Sequence, residues 1–164
     1  MLLRPALPSD AARCALVHHT VWRATYTGLI TDSFWEKDTL AAREAAWMRW
    51  LGPDVPPGRG DIVVAEVDDE IVGFAIGGPA TAVHEIAPVR DVQLHALNVL
   101  PEHHGSGVGQ ALLDAVVPAG PAQLWVVEGN ARARRFYARN GFEPDGTRYV
   151  DEHVGGMVEI RAVR

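Results

Sequence analysis

Leu97-Asn98-Val99-Leu100-Pro101-Glu102-His103-His104-Gly105-Ser106-Gly107-Val108-Gly109-Gln110-Ala111-Leu112-Leu113 carries the strongest signal in the chain. An apolar strand runs into a turn with glycine at every second position, and the turn opens a helix. The first amides of a helix have no intrahelical acceptor and carry partial positive charge. Glycine permits positive φ and lets a ligand approach the backbone closely. Together these features make an anion site suited to a pyrophosphate. By itself, Gly105-x-Gly107-x-Gly109 is a weak signal, also compatible with a tight turn that requires glycine. It is not the dinucleotide fingerprint G-x-G-x-x-G. It is not a P-loop either, because that loop needs Gly-Lys-Ser/Thr and Lys37 is the only lysine.

Upstream, Ile62–Val67, Asp68-Asp69 and Glu70–Ile76 read as a β-hairpin. Leu2–Ala6 reads as a first strand, with Pro5 at an edge or strand end. Ser9 is the candidate cap of a helix that runs to about Tyr26, where Gly28 breaks the pattern. A second helical region spans Thr31–Leu51, divided near Asp38-Thr39. Pro56–Gly60 reads as a loop, as does the small-residue segment Gly77–Arg90. Val92–Val99 is a strand, Val108–Val117 a helix, Leu124–Val127 a strand and Ala131–Asn140 a helix closed by Gly141. Two more strands are expected near Gly146–Val150 and Gly156–Ala162. This order implies an α/β chain with a mixed sheet and helices on both faces.

Bulk properties bound the function. At 164 residues the chain is expected to form a single domain, 1–164. Its net charge of -6 argues against nucleic acid, whose binders carry a basic patch or stripe. No run approaches the ~18 apolar residues of a membrane span. The N-terminus has no signal-peptide pattern. Cys14 is the only cysteine and sits in an Ala/Leu/Val-rich segment, which implies a buried thiol and fits a reducing cytoplasm. His103 and His104 are adjacent and lack further ligands, so no metal site is expected. A homodimer is compatible with the sequence but not specified by it.

The segment His104-Gly105-Ser106-Gly107-Val108-Gly109 resembles motif A of the GNAT N-acetyltransferase superfamily, in which a strand and a proline precede Arg/Gln-x-x-Gly-x-Gly/Ala. Leu124-Trp125-Val126-Val127, Asn130-x-x-Ala133-x-x-Phe136-Tyr137 and Asn140-Gly141-Phe142 resemble the family's motif B at the expected distance. Leu3-Arg4-Pro5-Ala6…Ser9-Asp10 is similar to the family's usual opening, and Trp22-x-x-x-Tyr26-x-Gly28 to a common bacterial branch. The resemblance covers nearly the whole chain. It implies the GNAT acyltransferase fold, a mixed, mostly antiparallel central sheet splayed in the middle. It implies acetyl-CoA as co-substrate and a small-molecule or peptide amine as acceptor. It also implies that backbone at Leu97 and Val99 holds the pantetheine arm, and that His104, Gly105, Ser106, Gly107, Val108, Gly109 and Gln110 hold the pyrophosphate. His104 departs from the family's Arg or Gln.

Asn130 has two readings, a bond to the pantetheine arm or a helix N-cap. Tyr137 is the expected catalytic acid, since a phenol of pKa near ~10 can donate to a thiolate of pKa near ~8.5. Many relatives carry Glu on the strand before motif A, where this chain has Gln93, which cannot take a proton. His95 is then the expected base, with Asp91, Glu85 and His84 as further candidates. A structural histidine is the alternative, and a bulge would leave its direction undetermined. Trp22, Tyr26 and Glu85 are expected at the acceptor, the aromatics sharing one helix face. Packing of that helix on the sheet is the competing explanation. Arg132, Arg134, Arg135 and Arg139 form a basic cluster that is either solvated or near the CoA 3′-phosphate. A non-catalytic acyl-CoA-binding module is the alternative function, and a phosphate- or dinucleotide-binding protein a distant third.

Overall fold

The computed structural model describes residues 1–53, 60–83 and 85–164, the side chain of His153 excepted. Seven strands form one sheet: β1 (Leu2–Pro5), β2 (Asp61–Val67), β3 (Glu70–Pro79), β4 (Val92–Val99), β5 (Gln123–Val127), β6 (Glu143–Asp151) and β7 (Met157–Val163). Five α-helices accompany them: α1 (Ala11–Tyr26), α2 (Asp32–Lys37), α3 (Leu40–Trp50), α4 (Val108–Val116) and α5 (Ala131–Arg139). The sheet order is β1-β2-β3-β4-β5-β7-β6. Every pairing is antiparallel except β4 with β5. This is the mixed, mostly antiparallel sheet that the resemblance implies.

That one parallel pair positions the site. β4 and β5 register only at Gln93↔Gln123 and Leu94↔Leu124. Beyond Leu94, β4 stays paired with β3 while β5 turns to β7. The sheet is therefore splayed. Among the described residues, no strand covers the β5-facing edge of β4 from His95 to Val99. A bulge starts the divergence: Ile76 pairs with Ala96 and Gly77 with Leu94, so His95 is the extra residue.

Side-chain alternation assigns the layers. Phe74 packs edge-on against Trp47 of α3, with ring centroids 4.7 Å apart, and against His18 of α1 at 5.5 Å. Gly73, on the other face, has Leu112 of α4 over it, and a Cβ there would lie 2.8 Å from the Asn98 carbonyl. At Gly77 a Cβ would come within 2.5 Å of the Val116 carbonyl. Both glycines let α4 seat directly on β3. α5 adjoins α4, with Phe136 near Gly109. Thus α1 and α3 cover one face, and α4 and α5 the other. The buried core runs through both layers, from Cys14 and Val17 to Leu112, Leu113 and Phe142.

Several details differ from the expected elements. Ser9 does not cap α1. A 3-10 turn occupies Pro8–Asp10, and the Asp10 carboxylate accepts from the Leu7 N–H at 2.7 Å. Asp10 suits this because Arg4 grips it at 2.6 Å and also reaches Glu66 at 2.9 Å, tying β1, the turn and β2 together. β3 runs on through Gly77–Pro79, which composition alone marks as loop, because β4 supplies ladder partners as far as Val92. β6 begins at Glu143 rather than near Gly146, with an irregularity between Pro144 and Arg148 that places Gly146 at φ 91. Pro56–Arg59 of the expected loop lie outside the described residues. Cys14 is fully buried, and desolvation pushes its thiol up to about 12.

Candidate functional site

The splay opens a cleft of about 450 Å³ that passes through the sheet. Val21, Thr25 and Tyr26 of α1 line it from one face, and the turn before α4 together with α5 lines it from the other. Leu97, Asn98 and Val99 supply the exposed edge of β4 between them.

The turn forms as its glycines require. Gly105 and Gly107 take φ 80 and 91, and a Cβ on either would meet nothing within 4 Å. The space beside the backbone is open for a ligand. Gly107 is the N-cap of α4. Among the described residues, the amides of Gly105, Gly107, Val108, Gly109 and Gln110 have no backbone acceptor. Five N–H groups at a helix N-terminus make a site for an anion. The exposed Ser106 hydroxyl donates back to the His103 carbonyl at 2.7 Å. The Gln110 side chain is engaged in bracing the helices, donating to Asp114 at 2.9 Å and to Asn140 at 2.8 Å. His104 turns back on the strand, its Nε2 bonded to the Val99 carbonyl at 2.9 Å. Partial burial and Arg132 lower its pKa.

α5 brings Arg132, Arg135, Phe136, Tyr137 and Arg139 to the cleft. The spacing of Arg132, Arg135, Phe136 and Arg139 puts those four on one helical face, while Tyr137 lies off it and is buried. Arg134 points elsewhere and donates to the Glu128 carbonyl at 3.1 Å. Among the described residues no carboxylate lines the cleft, so this acidic chain carries a locally basic hollow. Charge order along α5, more than any single motif residue, was the available signal for Arg132, Arg135 and Arg139. Asn98, Val21, Thr25 and His103 had no signal of their own.

Tyr137 is buried, and desolvation followed by the nearby Tyr26 pushes its pKa up. Asn130 caps α5: its Oδ1 accepts from the Ala133 N–H at 3.0 Å. Its side chain also reaches the Tyr26 hydroxyl, whose pKa is raised by burial and opposed by that contact. Of the two readings of Asn130, the N-cap is the one the structure displays.

The structure separates other expected residues from this cleft. His95 does not line it. Its Nδ1 accepts from Gln93 Nε2 at 3.1 Å, and its Nε2–H donates to the Pro79 carbonyl at 3.1 Å. Gln93 in turn accepts from Gln123 at 2.7 Å, and Gln123 accepts from the Val89 and Arg90 amides at 2.7 and 3.1 Å. This chain of donors fixes the ring's tautomer and occupies the lone pair a base would use. Burial also lowers the His95 pKa. Trp22 is held in an aromatic stack: Phe34 lies parallel at 5.9 Å, Tyr26 edge-on at 5.2 Å, and the Arg43 guanidinium sits 4.6 Å above its ring. Glu85 is exposed at φ 65 and, with Asp91, is not part of the cleft wall. His84 lies outside the described residues. No group of three potential metal ligands occurs among the described residues, and none of their helices is long and apolar enough to cross a membrane.

Comparison with known proteins agrees with this geometry. The family described as acetyltransferase (GNAT) domain matches residues 58–144. A probable N-acetyltransferase of Mycobacterium tuberculosis is 25% identical over 169 aligned positions, covering 94% of this chain and 87% of the relative. A GCN5-related N-acetyltransferase structure from Rhodopseudomonas palustris superposes with a TM-score of 0.71 at 21% identity, covering 99% of this chain and 94% of that one. The PaiA N-acetyltransferase of Thermoplasma acidophilum, solved in complex with coenzyme A, gives a TM-score of 0.65 at 19% identity over 98% and 96% of the two chains.

Proposed function

We propose, since this chain belongs to the GNAT acetyltransferase family, that it moves the acetyl group of acetyl-CoA to a primary amine by direct attack on the thioester. The observation that carries this reading is the cleft through the splayed sheet, with free amides in the glycine turn and two tyrosines in its lining. The pyrophosphate sits on the amides from Gly105 to Gln110. The pantetheine arm lies along the open edge of β4 at Leu97 and Val99, as an added strand would. His104, anchored to the Val99 carbonyl, braces that edge instead of offering the Arg or Gln usual at its position. Arg132, Arg135 and Arg139 give the polyanion a favourable field.

The chemistry needs a neutral amine and a stabilised leaving thiolate. The amine nitrogen attacks the carbonyl carbon, the C–S bond breaks, and one proton passes in net terms from nitrogen to sulfur. Tyr137, kept protonated by burial, donates its O–H toward the sulfur. His95 serves as a structural residue here, since both ring nitrogens are engaged. The acceptor is a small-molecule or peptide amine that enters from the α1 side, where Tyr26 forms part of the wall. Residues 1–164 act as one domain, and the buried Cys14 thiol is consistent with the reducing cytoplasm.

The test is release of free CoA thiol from acetyl-CoA with a panel of amines: amino acids, polyamines, aminoglycoside-type antibiotics and peptide N-termini. Acceptor-dependent release supports the transferase. Tight acetyl-CoA binding with no release for any amine would favour the non-catalytic acyl-CoA-binding module.

A further inference from the structure

The cleft holds two phenols, and the transfer just described uses one. Tyr137 comes from α5 and Tyr26 from the last turn of α1, so they reach the same 450 Å³ space from opposite faces of the sheet. The Asn130 side chain stands beside Tyr26, and Arg132 acts electrostatically on both rings. Tyr26 is oriented by its edge-on contact with Trp22 at 5.2 Å. Among the described residues no carboxylate lines the cleft, and the lone pair of His95 is taken by Gln93. The two histidines that line the cleft belong to the turn before α4, where His104 is bonded to the Val99 carbonyl. On the α1 side, from which the amine enters, Tyr26 is therefore the titratable group in the lining.

We infer that Tyr26 is a second catalytic residue, forming with Tyr137 a proton relay from the attacking amine to the departing sulfur. This rests on the acetyl transfer proposed above. As the nitrogen bonds to the thioester carbonyl carbon, one N–H bond breaks and that proton goes to Tyr26 Oη. The original Tyr26 proton passes to Tyr137 Oη, directly or through one water. The original Tyr137 proton goes to sulfur as the C–S bond breaks. Both phenols end protonated, the products are an N-acetyl amide and the CoA thiol, and no outside base or acid is consumed. Burial raises the pKa of both phenols and so disfavours a free phenolate, which favours the protons moving together. Two charges flank Tyr26. Arg132 favours its ionisation, and Glu159, on β7 in register with Val127, opposes it.

The experiment is single-turnover acetyl transfer with an active acceptor, where chemistry limits. Tyr26→Phe keeps the ring and its packing. It should lower the rate ~10²-fold, the scale of one positioned acid–base group, while acetyl-CoA affinity by calorimetry stays within about twofold. Residues of one relay act as a unit, so Tyr26→Phe combined with Tyr137→Phe should be no slower than the slower single variant. In H2O/D2O mixtures the wild-type rate should curve with deuterium fraction, showing more than one proton in flight, and should become linear in Tyr26→Phe. A raised acceptor KM with unchanged rate would overturn the relay and leave Tyr26 as a wall. An equal loss in Glu159→Gln would also overturn it and make the carboxylate the base. Wild-type transfer with a linear D2O dependence overturns the relay alone. Absence of transfer by the wild-type chain overturns both the relay and the proposed activity.

Discussion

The two walls of the cleft are built by different means. The wall formed by β4 and the glycine turn is largely backbone, an uncovered strand edge, five free amides and glycines at φ 80 and 91, with the α5 side chains flanking it. The wall formed by α1 is side chain. Val21, Thr25 and Tyr26 line the cleft there, and behind Tyr26 the Trp22 ring packs edge-on, stacked on Phe34, with Arg43 over it and His18 edge-on at 5.6 Å. A backbone wall offers the same donors whatever side chains surround it, so it suits a ligand that does not change. A side-chain wall can be rewritten one residue at a time, so it suits the ligand that distinguishes one enzyme from the next.

The largest expected effect falls where the walls meet. Tyr137→Phe should reduce kcat by ~10²–10³-fold, or about 3–4 kcal/mol of transition-state stabilisation. Acetyl-CoA affinity measured by calorimetry should change little, because the ring remains. Wild-type kcat under chemistry-limited conditions would remove Tyr137 from the reaction.

Next in size is a property of the side-chain wall alone. Burial, then Arg43 and His19, push the His18 pKa down to about 3. Its Nδ1 accepts from the Trp47 indole at 3.3 Å, which requires the neutral ring. Below pH 6.5 the unfolded chain takes up this proton and the folded chain does not. Stability from His18 is therefore fully present above about pH 6.5 and is lost as pH falls toward about 3. Between pH 6.5 and 5 the expected loss is about 2 kcal/mol. His19, His95 and His104, also lowered by burial, add in the same direction. Urea unfolding at the two pH values measures it, and His18→Gln, which keeps an acceptor for Trp47, should flatten the slope. An unchanged slope would show that the aromatic wall does not depend on a neutral His18.

On the backbone wall, Gly107→Val should weaken acetyl-CoA by at least ~10-fold, about 1.4 kcal/mol. It puts a β-branched side chain at φ 91 and into the space a phosphate needs. Gly109→Ala is the internal control. Its Cβ would make ordinary 3.9 Å contacts with Phe136 and Val99, and affinity should hold. Equal losses from both would mean that the turn tolerates no side chain at all, and the distinction between an open and a packed glycine would fail.

This contrast also explains what could be read from the chain before its fold was known. The glycine turn, the strand before it and the Asn130 cap were legible because φ preferences, free amides and helix caps are local, whereas Tyr137 was singled out by the motif resemblance. The β4 bulge was not local. It arises because Gly77 of β3 skips one residue of its partner, and it carries His95 out of the cleft. Nothing near His95 in sequence announces Gln123, thirty residues beyond Gln93, as the donor that completes its bond chain. Trp22 and Tyr26 share a helix face as their spacing requires. Only the packing of Phe34 and Arg43 separates the embedded ring from the one that reaches the cleft.

The smallest expected effect tests whether the walls are coupled. Asn130 caps α5 through Oδ1 and touches Tyr26 of α1 with the same side chain. Asn130→Ala loses both contacts and should cost ~1 kcal/mol of stability, the usual value of an N-cap. Asn130→Ser should restore the cap, since serine caps about as well as asparagine, yet its shorter side chain stops short of Tyr26. If the cap were the whole role, the serine variant would match wild type in both unfolding and catalysis. If Asn130 also holds Tyr26 in place, the serine variant should unfold like wild type. Its kcat/KM should nonetheless be about fivefold lower, close to 1 kcal/mol, the net value of one hydrogen bond. Thermal unfolding and initial rates on the same preparations separate the two results. Stability and rate recovering together would mean that α1 and α5 act independently across the cleft, whereas recovery of stability alone would make this one amide the joint between the cofactor wall and the acceptor wall.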